Sequence, residues 1–189
     1  MDIKVDAAKT SMRSRPLIFL DLESTGLNVQ EHEILEIGAL KTNPRPPFRV
    51  LGELEIKVKP ENLEKADKDA LKIAGFSSEG WKDALPLKEA LLLLDKFAQD
   101  GVLVGFNVTY DWAMLDRAYF SQGRCDPFYY HRLDVMSMAY FKLFKKRTIA
   151  RFSLGNIVKF LKVERGTKHR ALEDARATYL AFRALFALK

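Results

Sequence analysis

"FLDLESTG", residues 19–26, decides how the chain is to be read. The apolar approach, Leu17-Ile18-Phe19-Leu20, marks a strand buried on both faces, and Ser24-Thr25-Gly26 stops it. Side chains two apart on a strand share a face, so Asp21 and Glu23 point together with Cβ atoms roughly 7 Å apart. Two like charges that close raise each other's pKa unless a cation sits between them. The same residues also suit a polar surface turn, because Asp, Ser, Thr and Gly all favour turns. The segment alone does not choose between the two.

Downstream, "EILEIGALKT" (33–42) reads as a second strand and "NPRPP" (43–47) as a hairpin loop. In "LGELEIKVKP" (51–60), Leu54, Ile56 and Val58 alternate with acids and lysines, which predicts a third strand with one wet face near a sheet edge. Helical spacing follows over 87–101, with Gly101 as a C-terminal stop. "VLVGFN" (102–107) is a short apolar strand, and Thr109 or Asn107 is placed to cap a helix running to about Phe120. Further helices are predicted near 133–145, over 153–163 and from about Arg170 to Leu185. Three antiparallel-type strands followed by a helix, a strand and more helices make an α/β domain with a mixed sheet. Residues 1–15 are polar and aperiodic and read as a flexible leader, with 16–189 as a single domain.

Composition narrows the classes without choosing one. The chain has 189 residues, of which 48% are hydrophobic and 30% charged, and this fits an ordinary globular domain. The formal net charge of +6 suits a polyanionic partner but does not prove one. A lone cysteine, Cys125, excludes an intrachain disulfide and a cysteine-rich zinc site. No apolar block approaches the length that crosses a bilayer, and the N-terminal residues lack the apolar core of a signal peptide. The expectation is therefore a cytoplasmic protein with no membrane partner.

Two more acids stand out. In "GFNVTYDWAML" (105–115), Asp111 falls in the first turn of a helix that follows a strand. In "HRALEDARAT" (169–178), His169 precedes a helix and Asp174 lies near its start, with Ala171, Ala175 and Ala177 keeping the surroundings small. Each taken alone is well explained as an acid at the positive end of a helix dipole. Together, carboxylates from one strand and two helix starts can converge at one end of a sheet, where ligand sites of α/β folds form. Oxygen-only ligands select hard cations such as Mg²⁺ or Mn²⁺. Such cations, paired about 4 Å apart, stabilise both the attacking and the leaving oxygen of a phosphoryl displacement, and a nearby histidine can take the proton of the attacking water.

These three segments resemble the motifs of the DEDDh 3′–5′ exonucleases, the family of polymerase proofreading subunits, ribonuclease T and oligoribonuclease. "DLESTGL" (21–27) matches the first motif, with Ser24 for its usual first threonine. Asn107 to Asp111 matches the second and His169 to Asp174 the third. "EILEIGAL" and "SLGNIVKFL" are also similar to the family's second strand and penultimate helix, and position 170 is Arg170 where the related tyrosine subclass has tyrosine. The resemblance spans roughly residues 17–186. It implies a ribonuclease-H-like fold with a mixed five-stranded sheet, parallel beyond its three antiparallel N-terminal strands and flanked by helices. It also implies metal-dependent release of nucleoside monophosphates from the 3′ end of a single-stranded nucleic acid. Nothing in the sequence reads the ribose 2′-hydroxyl, so DNA is only slightly favoured and DNA versus RNA stays open.

By that resemblance Asp21, Glu23, Asp111 and Asp174 hold two Mg²⁺ or Mn²⁺ ions, and His169 is the general base. The backbone of the turn from Ser24 to Leu27 is expected to meet the terminal sugar, with Thr25, Leu27, Phe106 and Asn107 near the last nucleotides, and Arg170, beside His169, is a substrate-binding candidate for its charge. Asp134 is assigned to a helix start rather than to the metals. The basic run in 142–151 reads as a solvated face or as a track for the phosphates of the strand, and Arg165 and Lys168 are candidates for substrate charge. Trp112 and the phenylalanines are assigned to the core. The alternatives are an RNA-trimming or short-oligoribonucleotide exonuclease, and a non-catalytic nucleic-acid-binding or polymerase-docking subunit. A polymerase or homodimer partner stays open.

Overall fold

The computed structural model describes residues 11–167 and 169–188. Its centre is a five-stranded sheet in the order β3-β2-β1-β4-β5. The strands are β1 (Leu17–Ser24), β2 (Ile34–Thr42), β3 (Val50–Lys57), β4 (Val102–Gly105) and β5 (Arg132–Asp134). β1 pairs antiparallel with β2, β2 antiparallel with β3, and β4 runs parallel to both β1 and β5. The helices are α1 (Lys68–Ile73), α2 (Leu87–Ala98), α3 (Val108–Ser121), α4 (Val135–Leu143), α5 (Leu154–Leu161) and α6 (Ala171–Ala187).

The alternation of β1 sorts the core into two layers. Leu17 and Phe19 face α4, α5 and α6, while Ile18, Leu20 and Leu22 face α2 and α3. Phe19 is fully buried and meets Tyr179 and Phe182 of α6 edge-on, each with ring centroids 5.3 Å away. Truncating it to alanine would cost about 3–5 kcal/mol. Asp21 and Glu23 continue the Phe19 face, so β1 delivers both acids to the α6 side. The edge position and wet face expected of the third strand are those of β3, in which Ile56 is the buried residue.

α6 lies directly on the sheet at its N-terminal end. A Cβ at Gly38 of β2 would sit 2.0 Å from the backbone of Ala171 and Leu172, so only glycine admits this approach. Small residues extend the contact: Ala171, Ala175, Ala177, Thr178 and Ala181 are all buried.

Several expectations needed adjustment. The strand read over 102–107 ends at Gly105, and the helix read near 133–145 begins only at Val135, after the three residues of β5. Neither β5 nor α1 is apparent in the sequence pattern, because each is shorter than a periodicity can reveal. Met12–Ser14 form a single 3₁₀ turn and Arg15 donates to the Asp100 carbonyl at 3.2 Å, while residues 1–10 of the expected leader lie outside the described residues. The phenylalanines do not all join the core: Phe120, Phe141 and Phe144 are exposed.

Candidate metal and catalytic centre

Five sequence-predicted residues come together at the C-terminal end of β1. Asp111, in the first turn of α3, accepts the Leu22 backbone N–H on Oδ1 at 3.1 Å. That bond fixes the start of α3 to β1 between the two strand acids. Asp174, in the first turn of α6, is nearly buried, and its Oδ2 lies 3.4 Å from the backbone nitrogen of His169. His169 itself is exposed and has a left-handed backbone, φ 58°. Glu23, His169 and Asp174 each present a ligand atom, all within 4.8 Å of one another, although they come from segments about 150 residues apart.

The charges interact strongly. Burial pushes the Asp21 carboxyl well above its ordinary range, and Asp111, Asp174 and Glu23 add repulsion that Arg165 partly offsets. Glu23 is pushed up to about 7, first by burial and then by Asp174 and Glu36, against the pull of Arg170 and Arg165. Asp111 is pushed up to about 8 by burial, with the Leu22 N–H pulling the other way and Glu23 and Asp134 adding repulsion. Crowded, buried oxygen donors that resist ionisation are what a hard divalent cation satisfies, so the donor set fits Mg²⁺ or Mn²⁺.

The residues expected against substrate fall into two groups. Leu27 is 84% exposed and free to meet a ligand. Asn107 has a left-handed backbone (φ 65°) and makes no side-chain cap; its backbone N–H donates to Asp134 Oδ1 at 2.8 Å. Phe106 is half-buried against the α6-side core. Ser24 and Thr25, by contrast, are spent on the turn. The Ser24 hydroxyl lies 2.7 Å from the Tyr110 hydroxyl and donates to the Gly26 carbonyl at 2.9 Å. Thr25 is buried, and its hydroxyl oxygen accepts the Glu33 N–H at 2.9 Å. Their side chains shape the turn, whose backbone is tied down as well: the Thr25 N–H donates to the Glu33 carbonyl and the Thr25 carbonyl accepts from the Asp67 N–H, each at 2.8 Å. Asp134 caps α4 by accepting from Met136 and Ser137, the helix-start role assigned to it.

Arg170 is also committed elsewhere. Its guanidinium donates to Glu55 at 2.9 Å and lies 3.4 Å from Glu36. Glu36 is fully buried, stands opposite Glu23 across the β1–β2 pair, and accepts the Ala171 N–H on Oε1 at 3.2 Å. Burial raises its pKa and Arg170 lowers it. Glu36 thus anchors the start of the helix that carries Asp174. Sequence reasoning missed this; the available signal was one acid inside the apolar run "ILEIGAL". It also missed Tyr110, whose hydroxyl donates to the Gly26 carbonyl at 2.8 Å and braces the turn after Glu23. Arg165 grips Asp174, and Lys168 lies outside the described residues.

Comparison with known proteins gives a consistent result. The family model described as Exonuclease (RNase T) matches residues 18–182. The oligoribonuclease of Corynebacterium glutamicum is 30% identical over 176 residues, covering 86% of this chain and 74% of that protein. The PolC-type DNA polymerase III of Thermotoga maritima is 28% identical over 165 residues, 87% of this chain but 11% of the polymerase. The chain therefore spans only a small part of its PolC-type relatives. Escherichia coli Exonuclease I, solved with a dT13 oligonucleotide, superimposes with a TM-score of 0.77 at 17% identity over 92% of this chain and 41% of that one; at that identity the likeness speaks for the fold.

Proposed function

Because the chain belongs to the DEDD family of 3′–5′ exonucleases, we propose that it removes nucleotides one at a time from the 3′ end of single-stranded nucleic acid, with DNA as the preferred polymer. The observation that carries this reading is the convergence of Glu23, His169 and Asp174 within 4.8 Å, beside Asp21 and Asp111, from three separate segments. Asp21, Glu23, Asp111 and Asp174 would hold a pair of divalent cations. When bound, these neutralise the carboxylates and stabilise the attacking and leaving oxygens.

The chain's own residues do the rest. His169, exposed at the rim, accepts the proton of a water whose oxygen attacks the terminal phosphorus. The bond from phosphorus to the 3′ oxygen breaks, giving a nucleoside 5′-monophosphate and a strand with a new 3′ hydroxyl. The Asp111–Leu22 bond holds one carboxylate in register with β1. Glu36, through Ala171, holds another on α6. The exposed Leu27, at the end of the turn that Tyr110 braces, meets the terminal nucleotide.

A second reading, an exonuclease of short RNA, is favoured by the 30% identical oligoribonuclease. One assay separates the readings: 5′-labelled DNA and RNA strands of the same sequence, with Mg²⁺, Mn²⁺ or chelator, for wild type and Asp21→Asn. The expected result is a mononucleotide ladder on DNA, lost with chelator and in the variant. A stronger ladder on RNA transfers the proposal to the second reading, and cleavage that persists in Asp21→Asn overturns the site assignment.

A further inference from the structure

The protein's excess of positive charge is not spread along the chain. Residues 135–163 hold seven lysines and arginines and no acid, while the remainder of the chain carries 24 cations against 25 acids. The whole +6 excess therefore resides in the segment that forms α4, the loop after it and α5. Lys142, Lys145, Lys146, Arg147, Arg151, Lys159 and Lys162 are all exposed. Among the described residues none of them makes an ion pair.

Aromatic side chains are interleaved with that charge. Phe141 is 84% and Phe144 65% exposed, and Tyr140 meets Phe144 edge-on at 5.4 Å and Phe152 at 5.2 Å. Tyr140, Phe141, Phe144 and three of the lysines line a concavity of about 400 Å³. Exposed phenylalanines gain nothing in water, and unpaired lysines repel one another, so the combination calls for a ligand with both flat apolar faces and regular negative charge. Single-stranded nucleic acid is that ligand: its bases stack on aromatic rings and its phosphates meet the lysines.

The position suits a strand whose 3′ end is in the acid cluster. α4 is capped by Asp134, which accepts from the Asn107 backbone N–H and whose charge acts on Asp111. At its far end Lys142 donates to the Leu188 carbonyl at 2.7 Å, and Leu188 follows Asp174 by fourteen residues along α6, about 21 Å at about 1.5 Å per residue. A stacked strand covers that span in about six nucleotides at about 3.4 Å each.

We propose that the α4–α5 surface is a second nucleic-acid site, which stacks and neutralises the part of the strand about six nucleotides upstream of the 3′ end. This rests on the exonuclease reading for its orientation. Length preference follows: strands too short to reach the platform are bound by the acid-cluster end alone.

The test uses two variants of the full chain, Lys145→Gln/Lys146→Gln/Arg147→Gln and Phe141→Ser/Phe144→Ser, all at exposed positions. Turnover of a trinucleotide and of a strand of about twenty nucleotides is compared, and binding of the longer strand is followed by fluorescence anisotropy in an Asp21→Asn background. The expected result is a fall of about tenfold or more in the ratio of long-strand to trinucleotide kcat/KM for both variants. In the charge variant the logarithmic salt slope of binding should also flatten by about 2, from about 0.7 per phosphate contact. An unchanged ratio with an unchanged slope overturns the platform and leaves the surface to a protein partner; an equal loss on both lengths also overturns it. A protein that degrades neither strand yet binds the longer one through these residues keeps the platform and removes the exonuclease reading instead.

Discussion

Arg165 holds Asp174 with two parallel hydrogen bonds, Nε to Oδ1 at 2.8 Å and Nη2 to Oδ2 at 2.7 Å. The same guanidinium lowers the pKa of Asp21 and Glu23, so it acts as a counter-cation to three of the four acids. Both oxygens of Asp174 are taken by groups that a divalent cation would have to displace. Arg165→Ala should therefore tighten Mg²⁺ binding about fivefold or more by titration calorimetry. In chelator it should lose about 3 kcal/mol of stability, because a nearly buried carboxylate is left unpaired. Weaker Mg²⁺ binding in the variant would assign Arg165 to holding the site together instead.

Glu36→Ala removes the acceptor for Ala171 and the partner of Arg170 in one step. The start of α6 then loses its tie to β2, and Asp174 moves relative to Glu23. Expected is a fall in kcat of about tenfold to a hundredfold with KM little changed, since the 24–27 turn is built elsewhere. Glu36→Gln keeps an oxygen for the Ala171 N–H and should recover most of the loss. Equal damage from both substitutions would show that the charge, not the acceptor, is what matters.

His169→Ala should lower kcat by about 10²- to 10⁴-fold, the usual weight of a general base. Metal affinity, read by calorimetry, should hold, because four carboxylates remain. If affinity drops in parallel with kcat, the imidazole is a ligand, an outcome its place within 4.8 Å of Glu23 and Asp174 would then explain.

Without metal, stability should fall as pH rises. Glu23 and Asp111 sit at about 7 and about 8 in the folded chain, above the ordinary carboxylate range, so the folded state binds more protons than the unfolded one. Between pH about 5 and about 8 the carboxylates ionise against one another, and the Tm in chelator should decline. Millimolar Mg²⁺ should remove most of that slope, and apparent Mg²⁺ affinity should rise over the same window as protons are released. A Tm in chelator that climbs from pH about 5 to about 8 would sink the account of the cluster's electrostatics.

The acids were legible in the sequence because local rules decide where each one points. Alternation places Asp21 beside Glu23, and a strand-to-helix passage puts Asp111 in a first turn. The partners of those acids were not legible. Arg170 stands next to His169 in sequence, yet its side chain crosses to β2 and β3, where Glu36 and Glu55 wait. Thr25 follows the acids directly and turns inward to Glu33. Such choices depend on which groups from distant segments lie within reach. β5 was hidden for another reason: three residues show no period, and only pairing with β4 defines them. Phe141 and Phe144 look like core residues by type, and only the packing of α4 reveals the side left bare.

The acids belong to both layers of the sandwich. Asp111 rides on α3, which covers one side of the sheet, and Asp174 on α6, which covers the other, with Asp21 and Glu23 on the strand between. A cation shared among them would rivet the two halves of the fold across the end of β1. Loading the site should then be felt as a slowing of amide exchange in both helices at once, so the metal would report on global cohesion as well as on chemistry.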